Sequence, residues 1–231
     1  MKFEISVHLE LSDGKSSPRS QADPILLYRR PDQERTLNYF PPASRSMTRI
    51  RDIAPDEYTS EQKRIADEIA SVRRGYVRGP FAIWIRTPEI ADTANKFGSA
   101  LRLHGKLDRR LFELMIAIVA RHWSAQYEWF AHLTRGLDAG LSPEIYESIR
   151  TGRVPEFKSK AETTVYNLVT ELIRTKTLSK QSYELGIEVL GLENLIELVT
   201  GVGFYTTIAM VLNTFDVSVP PDVRADKLPL Y

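Results

Sequence analysis

The sequence predicts an all-α fold, namely a bundle of seven or eight helices joined by short connections. Apolar residues recur at intervals of three and four along most of the chain, and signals for helix starts and ends separate these runs. After Met47 the chain has no convincing alternation of apolar and polar residues, so strands are not expected there. The composition, with 42% hydrophobic and 26% charged residues, is typical of a globular protein.

Residues 1–46 differ from the remainder and are predicted to form a mostly irregular N-terminal extension, partly disordered or strand-like. Val7, Leu9 and Leu11 alternate with polar residues, as in a strand, and a run rich in proline and serine follows. We therefore place a domain boundary near Ser46, with the helical domain spanning residues 47–231.

The first two helices are predicted from their caps. Thr59 and the glutamine three residues later have the spacing of a capping box, and Gly75 can end the helix, which gives a helix at about 60–74. Thr87 precedes a proline at the first helical position and predicts a second helix at about 88–103.

Six further helices are predicted from apolar periodicity. If residues 111–137 formed one straight helix, Glu113 and Glu128 would lie roughly 22 Å apart. We therefore expect a break at Trp123-Ser124, where Ser124 can cap a new helix start. The predicted spans are 109–122, 124–139, a short helix between Pro143 and Gly152, 160–176, 180–190 and 193–215.

Composition and charge exclude several classes of function. A net charge of +1 without an obvious basic patch argues against nucleic-acid binding. The chain has no cysteine, so it has no disulfide, thiolate metal site or thiol redox cycle of its own. Acidic residues interrupt the apolar start of the chain, so no secretory signal is expected and a cytoplasmic location follows as the default.

One apolar run, residues 195–212, approaches the length of a membrane span. It contains Glu197 and several threonines and glycines, which make a lipid-facing helix costly. A helix packed inside the protein or in a subunit interface is the better interpretation, and no membrane partner is expected.

Reactive side chains concentrate in the third and fourth predicted helices. Glu128 and His132 are four residues apart and share one helical face, where the carboxylate can hold the imidazole in one tautomer or raise its pKa. If the two helices are antiparallel, Glu113 lies opposite His132, and the three groups form an acid/base site. A structural interpretation stays open, in which Glu128 and His132 are an exposed surface pair and Glu113 is solvated.

The same stretch resembles the core motif of the carboxymuconolactone decarboxylase and alkylhydroperoxidase D-like superfamily. That motif has a glutamate, then two cysteines beginning twelve residues later, then a histidine four residues after the second cysteine. The corresponding positions here are Glu113, Ala125, Glu128 and His132. The resemblance extends over most of residues 47–220 through Gly79-Pro80-Phe81, the Thr87-Pro88-Glu89 helix start, Gly203 to Thr206, and Asn213.

This resemblance implies an alkylhydroperoxidase D-like helical bundle, and the missing cysteines indicate which branch fits. Peroxide reduction needs a thiolate and a resolving thiol, which Ala125 and Glu128 do not supply. The decarboxylase branch is the better match. It implies a lyase that removes carbon dioxide from a small carboxylated lactone and protonates the resulting enolate, or a related isomerase step, without a metal or an organic cofactor.

The resemblance also implies roles for individual residues. His132 is expected to be the proton donor, Glu128 its orienting or acid/base partner, and Glu113 a second carboxylate in the pocket. The walls of the pocket are expected to include Tyr127, Trp129 and Tyr205. Because proteins of this family form trimers or hexamers, a homo-oligomer is expected too.

The sequence leaves two other functions and a metal site open. The chain could be a peroxiredoxin-type antioxidant that takes its thiol from a partner, or a non-catalytic oligomeric binding module in which the acid/base residues are remnants. A closed, small-molecule-sized cavity at His132 would favour an enzyme over a module. A metal site made of His122, Glu128 and His132 has suitable ligand types, but its spacing matches no zinc motif.

Overall fold

The computed structural model describes residues 48–73, 75–219 and 227–229. Helices dominate this part of the chain and no strand occurs in it, so the all-α prediction is confirmed. The predicted N-terminal extension and the boundary near Ser46 lie outside the described residues.

Nine α-helices occur in the described ranges, together with a 3-10 turn at Pro55–Glu57 and a π-helical segment at Ala100–His104. The helices are α1 (Ser60–Val72), α2 (Pro80–Trp84), α3 (Pro88–Ser99), α4 (Arg109–His122), α5 (Gln126–Asp138), α6 (Pro143–Arg150), α7 (Lys160–Thr175), α8 (Lys180–Leu190) and α9 (Leu192–Thr214). Eight of them lie within a few residues of their predicted positions. The exception is α2, which is too short to show a helical period in the sequence.

Helix caps explain several of these boundaries and correct two expectations. The Thr59 side chain accepts a hydrogen bond from the backbone N–H of Gln62, and the Gln62 side chain accepts one from that of Thr59, as a capping box requires. Thr87 does not cap α3 with its side chain, because its hydroxyl donates instead to the carbonyl of Trp84. Ser124 does not cap α5 either. It takes the left-handed conformation at φ 46°, which reverses the chain, and Ala125 occupies the cap position.

Helix α4 is the centre of the bundle. Every residue from Leu111 to Arg121 is buried, and the helix packs against α5, α7 and α9. Each large apolar side chain buried there contributes about 1.5–3 kcal/mol relative to an exposed one. A charged residue in this stretch must therefore find its partners inside the protein, and Glu113 is such a residue.

Helix α9 packs one face against α4 and presents the other outward. A Cβ added to Gly201 would lie 2.7 Å from Met115 Cε, so this glycine permits the close packing of α9 against α4. Gly203 faces the other way and has no atom within 4 Å of such a Cβ. By length and composition α9 could cross a membrane, but half of its most apolar window is buried in the bundle.

Candidate active site

The turn between α4 and α5 brings Glu113, Glu128 and His132 together. His132 Nδ1 lies 2.7 Å from Glu113 Oε2, and His132 Nε2 lies 3.2 Å from Glu128 Oε1. The exposed fractions of Glu113, Glu128 and His132 are 0%, 3% and 6%. The interpretation of Glu128 and His132 as an exposed surface pair is therefore wrong, since both carboxylates and the imidazole are inside the protein.

Opposite charges dominate the protonation of this cluster. Burial acts to lower the pKa of His132, but the carboxylates of Glu113 and Glu128 outweigh it and raise that pKa above its ordinary value. Burial acts to raise the pKa of Glu113, but His132 and, to a smaller extent, Arg109 hold it below its usual range. Arg109 forms an ion pair with Glu113 Oε1, but none of the N–H groups of its guanidinium points at this oxygen well enough to donate a hydrogen bond. At neutral pH these shifts favour an imidazolium beside a carboxylate.

The two imidazole nitrogens have different surroundings. Nδ1 faces Glu113 alone, so its N–H donates to that carboxylate in both protonation states of the ring. Nε2 lies 3.2 Å from Glu128 Oε1 and 3.2 Å from Arg135 Nη1. A protonated Nε2 donates to Glu128, whereas a deprotonated Nε2 accepts from Arg135. The proton that can leave His132 is therefore the one on Nε2.

A partly open hollow of about 70 Å³ lies beside His132 and Glu128, and we call it the hollow. Glu113 does not line it, because that carboxylate sits behind the imidazole. Tyr127 and Tyr205 do line it. Burial raises the pKa of Tyr127 to about 12 and also raises that of Tyr205, so both hydroxyls stay protonated at neutral pH and can donate hydrogen bonds.

Trp129 was expected in the wall but lies elsewhere. It is buried in the core, where its ring packs edge-on against Tyr146. On helix α5, Trp129 follows Glu128 directly and therefore points about 100° away from it.

A glycine in the loop before α2 fixes the position of Tyr127. Gly79 has φ +59°, and a Cβ added there would lie 2.6 Å from Tyr127 Cε1. Only glycine tolerates both the left-handed backbone and this close approach of the ring. The loop and the short helix α2 thereby close one side of the hollow, to which Pro80 and Phe81 also contribute.

Sequence reasoning missed a group of arginines around the hollow. They come from three separate stretches of the chain, the loop between α1 and α2, the π-helical segment and α5, so no spacing in the sequence joins them all; only the position of Arg135, three residues after His132, could have been recognised. The group comprises Arg73, Arg78, Arg102 and Arg135. Arg102 Nε is buried and has no hydrogen-bond partner among the described residues, an arrangement that costs about 1–3 kcal/mol.

The described ranges contain no group of three or more acidic or histidine side chains that could hold a metal ion. His122 is exposed, and its ring lies edge-on to that of Trp123 rather than in the hollow. The alternative metal site that would join His122 to Glu128 and His132 is therefore not formed in this part of the chain.

Comparison with protein-family models and with curated proteins adds no relative. The chain matches no protein-family model, and no curated protein matches it. Membership in the carboxymuconolactone decarboxylase and alkylhydroperoxidase D-like superfamily stays a prediction from the motif.

Proposed function

We propose that the chain is a cofactor-independent acid/base enzyme, similar to carboxymuconolactone decarboxylase, which acts on a small carboxylated lactone or a similar metabolite. One observation carries the proposal. His132 is held between two buried carboxylates at the edge of the hollow, and its Nε2, beside Glu128 and Arg135, is the nitrogen that can exchange a proton. A buried ionisable cluster of this kind is costly to stability and is typical of catalytic sites.

The proposed roles follow from the contacts of each group. Glu113 fixes the ring through Nδ1 and stabilises the imidazolium, so it is the orienting carboxylate in place of Glu128. His132 donates the proton from Nε2 to the substrate. Glu128 lines the hollow and holds that proton in position before transfer. Tyr127 and Tyr205 donate hydrogen bonds to substrate oxygens.

In the proposed decarboxylation, the bond between the substrate carboxylate and the ring carbon breaks and carbon dioxide leaves. The electron pair of that bond delocalises into the unsaturated carbonyl system as an enolate. The His132 imidazolium then transfers its Nε2 proton to a carbon atom of this extended enolate, and the neutral ring regains a proton from solvent. One proton is consumed for each carbon dioxide released. An isomerisation would use the same Nε2 proton without loss of carbon dioxide.

The size of the hollow limits how a substrate can bind. At about 70 Å³ it is smaller than the roughly 300 Å³ of sites that enclose a whole drug-sized ligand. A metabolite can therefore place its reacting end beside His132 while its other end lies at the open side. The hollow is partly open and smaller than the closed cavity that would by itself favour an enzyme over a binding module, so the proposal rests on the buried His132 cluster and not on cavity size.

A deuterium-incorporation assay tests the proposal. The protein is incubated in D2O with a panel of small carboxylated lactones, and carbon dioxide release and product mass are measured. We expect one deuterium per product molecule, and we expect His132→Gln to reduce turnover by at least about 100-fold, the usual contribution of a general acid. His122→Gln is the matched control, because His122 is exposed and does not line the hollow. Equal turnover by wild type and His132→Gln would refute the role of His132.

The proposal includes a cytoplasmic homo-oligomer, a trimer or hexamer, with no nucleic-acid or membrane partner. Support for the oligomer comes from the outward face of α9, whose large apolar residues are unusually exposed for a single subunit. These residues are Leu192, Ile196, Val199 and Met210.

A further inference from the structure

Positively charged side chains outnumber negatively charged ones in the lining of the hollow. Its lining contains four arginines but only one carboxylate, that of Glu128. Within the described ranges, none of these arginines has an acidic side chain within salt-bridge distance. The acid/base mechanism requires His132 and its two carboxylates, and it does not explain this excess of positive charge.

Three of the arginines that line the hollow, Arg73, Arg102 and Arg135, act on one another electrostatically. Burial lowers the pKa of Arg73 to about 10, and the nearby charges of Arg102 and Arg135 act in the same direction. Burial, and then the charge of Arg102, also lower the pKa of Arg135. All three guanidinium groups are therefore close enough to repel one another, yet they keep their charge at neutral pH. An anion placed among them would relieve that repulsion.

The surroundings hold Arg73 in a fixed orientation. Its Nε donates to Asn95 Oδ1 at 2.9 Å, and its guanidinium lies 4.1 Å from the centre of the Phe81 ring. Gly98 makes room for it, because a Cβ at that position would lie 3.0 Å from the terminal Nη2. A cation held in this way is preorganised for a ligand and loses little freedom on binding.

Arg102 is the arginine that most clearly lacks a partner. It lies in the π-helical segment, a distortion that is frequent at functional sites. Its Nε is buried and has no hydrogen-bond partner in the described ranges. A planar oxyanion can accept two parallel hydrogen bonds from a guanidinium, which would satisfy this Nε.

We infer that Arg73, Arg102 and Arg135 form a binding site for an oxyanion group of the ligand, a carboxylate or a phosphate, with Arg102 as the principal contact. This arginine site lies next to the Nε2 proton of His132, so the position of the bound oxyanion determines which part of the ligand faces His132. The inference rests on the proposed function for the identity of the hollow as a substrate site. Binding of an anion is nevertheless measurable without turnover.

Calorimetric titration of the full chain with inorganic phosphate and with malonate, at constant ionic strength, tests this site. We expect saturable binding of at least one of the two anions, and the tighter one identifies the ligand group as a phosphate or a carboxylate. Arg102→Gln is expected to weaken binding at least about tenfold, because a charge-assisted hydrogen bond pair is lost. Arg174→Gln removes the same charge from an exposed position on α7 and should change the affinity less than about twofold.

Thermal denaturation separates a binding role from a structural one. Without anion, Arg102→Gln should have a Tm equal to or higher than that of wild type, because the substitution removes a buried donor that lacks a partner. The anion should raise the Tm of wild type but not that of Arg102→Gln. His132→Gln should keep anion binding while it loses turnover, so failure of the acid/base proposal would leave this result unchanged. The inference is overturned if neither anion binds, or if Arg102→Gln binds them as wild type does.

Discussion

Replacement of Glu113 by glutamine tests the electrostatic basis of the site. The substitution keeps the shape of the side chain and an oxygen that can accept from His132 Nδ1, but it removes the negative charge from a position that is 0% exposed. The 2.7 Å hydrogen bond is kept but loses its charge, and since a charged hydrogen bond is worth about 1.5–3 kcal/mol and a neutral one about 0.5–1.5 kcal/mol, the expected loss is about 1–1.5 kcal/mol. For a protein of this size that corresponds to a decrease in Tm of about 2–6 °C.

The stability difference between wild type and Glu113→Gln should depend on pH, and the directions of the two pKa shifts determine where it increases and decreases. The pKa of His132 is raised by folding, so its contribution is complete below the unfolded value of about 6.5 and disappears as the pH rises through the folded value. The pKa of Glu113 is lowered, so its contribution is complete above about 4.3 and disappears as the pH falls through the folded value. The stability difference between wild type and Glu113→Gln should therefore be largest between about pH 4.3 and 6.5.

Urea denaturation of both proteins at a series of pH values measures this difference. Glu156→Gln is the matched control, since Glu156 is exposed and should show no such maximum. The reasoning fails if Glu113→Gln is as stable as wild type at every pH, or if the difference keeps increasing above neutral pH.

Two further substitutions test the wall of the hollow and the outward face of α9. Gly79→Ala should lower the free energy of unfolding by about 1–3 kcal/mol in chemical denaturation, because the new Cβ clashes with Tyr127 and the backbone there has a positive φ. Gly152→Ala is the control: its φ is +73°, but no atom lies within 4 Å of the new Cβ, so it measures the backbone strain alone and should lower that free energy less. Ile196→Lys should shift the protein toward monomers in light scattering without loss of helical circular dichroism, whereas Gln181→Lys on the exposed side of α8 should leave assembly unchanged. A monomeric wild type would contradict the oligomer.

Local signals in the sequence were sufficient to place most helices. The capping box at Thr59, the proline starts at Pro88 and Pro143, and the apolar period of α4 all act within a few residues, so they can be recognised without tertiary information. The short helix α2 could not be found in this way, because it depends on Pro80 and on burial of Phe81 and Trp84 in the core.

The candidate site also depends partly on local sequence and partly on tertiary packing. By itself the sequence determined that Glu128 and His132 share a helical face, because that follows from the helical repeat, and it predicted a break near Ser124. It placed Glu113 opposite His132 only on the condition that the two helices are antiparallel. Only the tertiary structure decided that Glu113 lies behind the imidazole, that Trp129 belongs to the core, and that arginines from three separate stretches of the chain line the hollow. Those outcomes depend on how α1, α3, the π-helical segment and α9 pack around α4 and α5, and long-range packing leaves no periodic signal in a sequence.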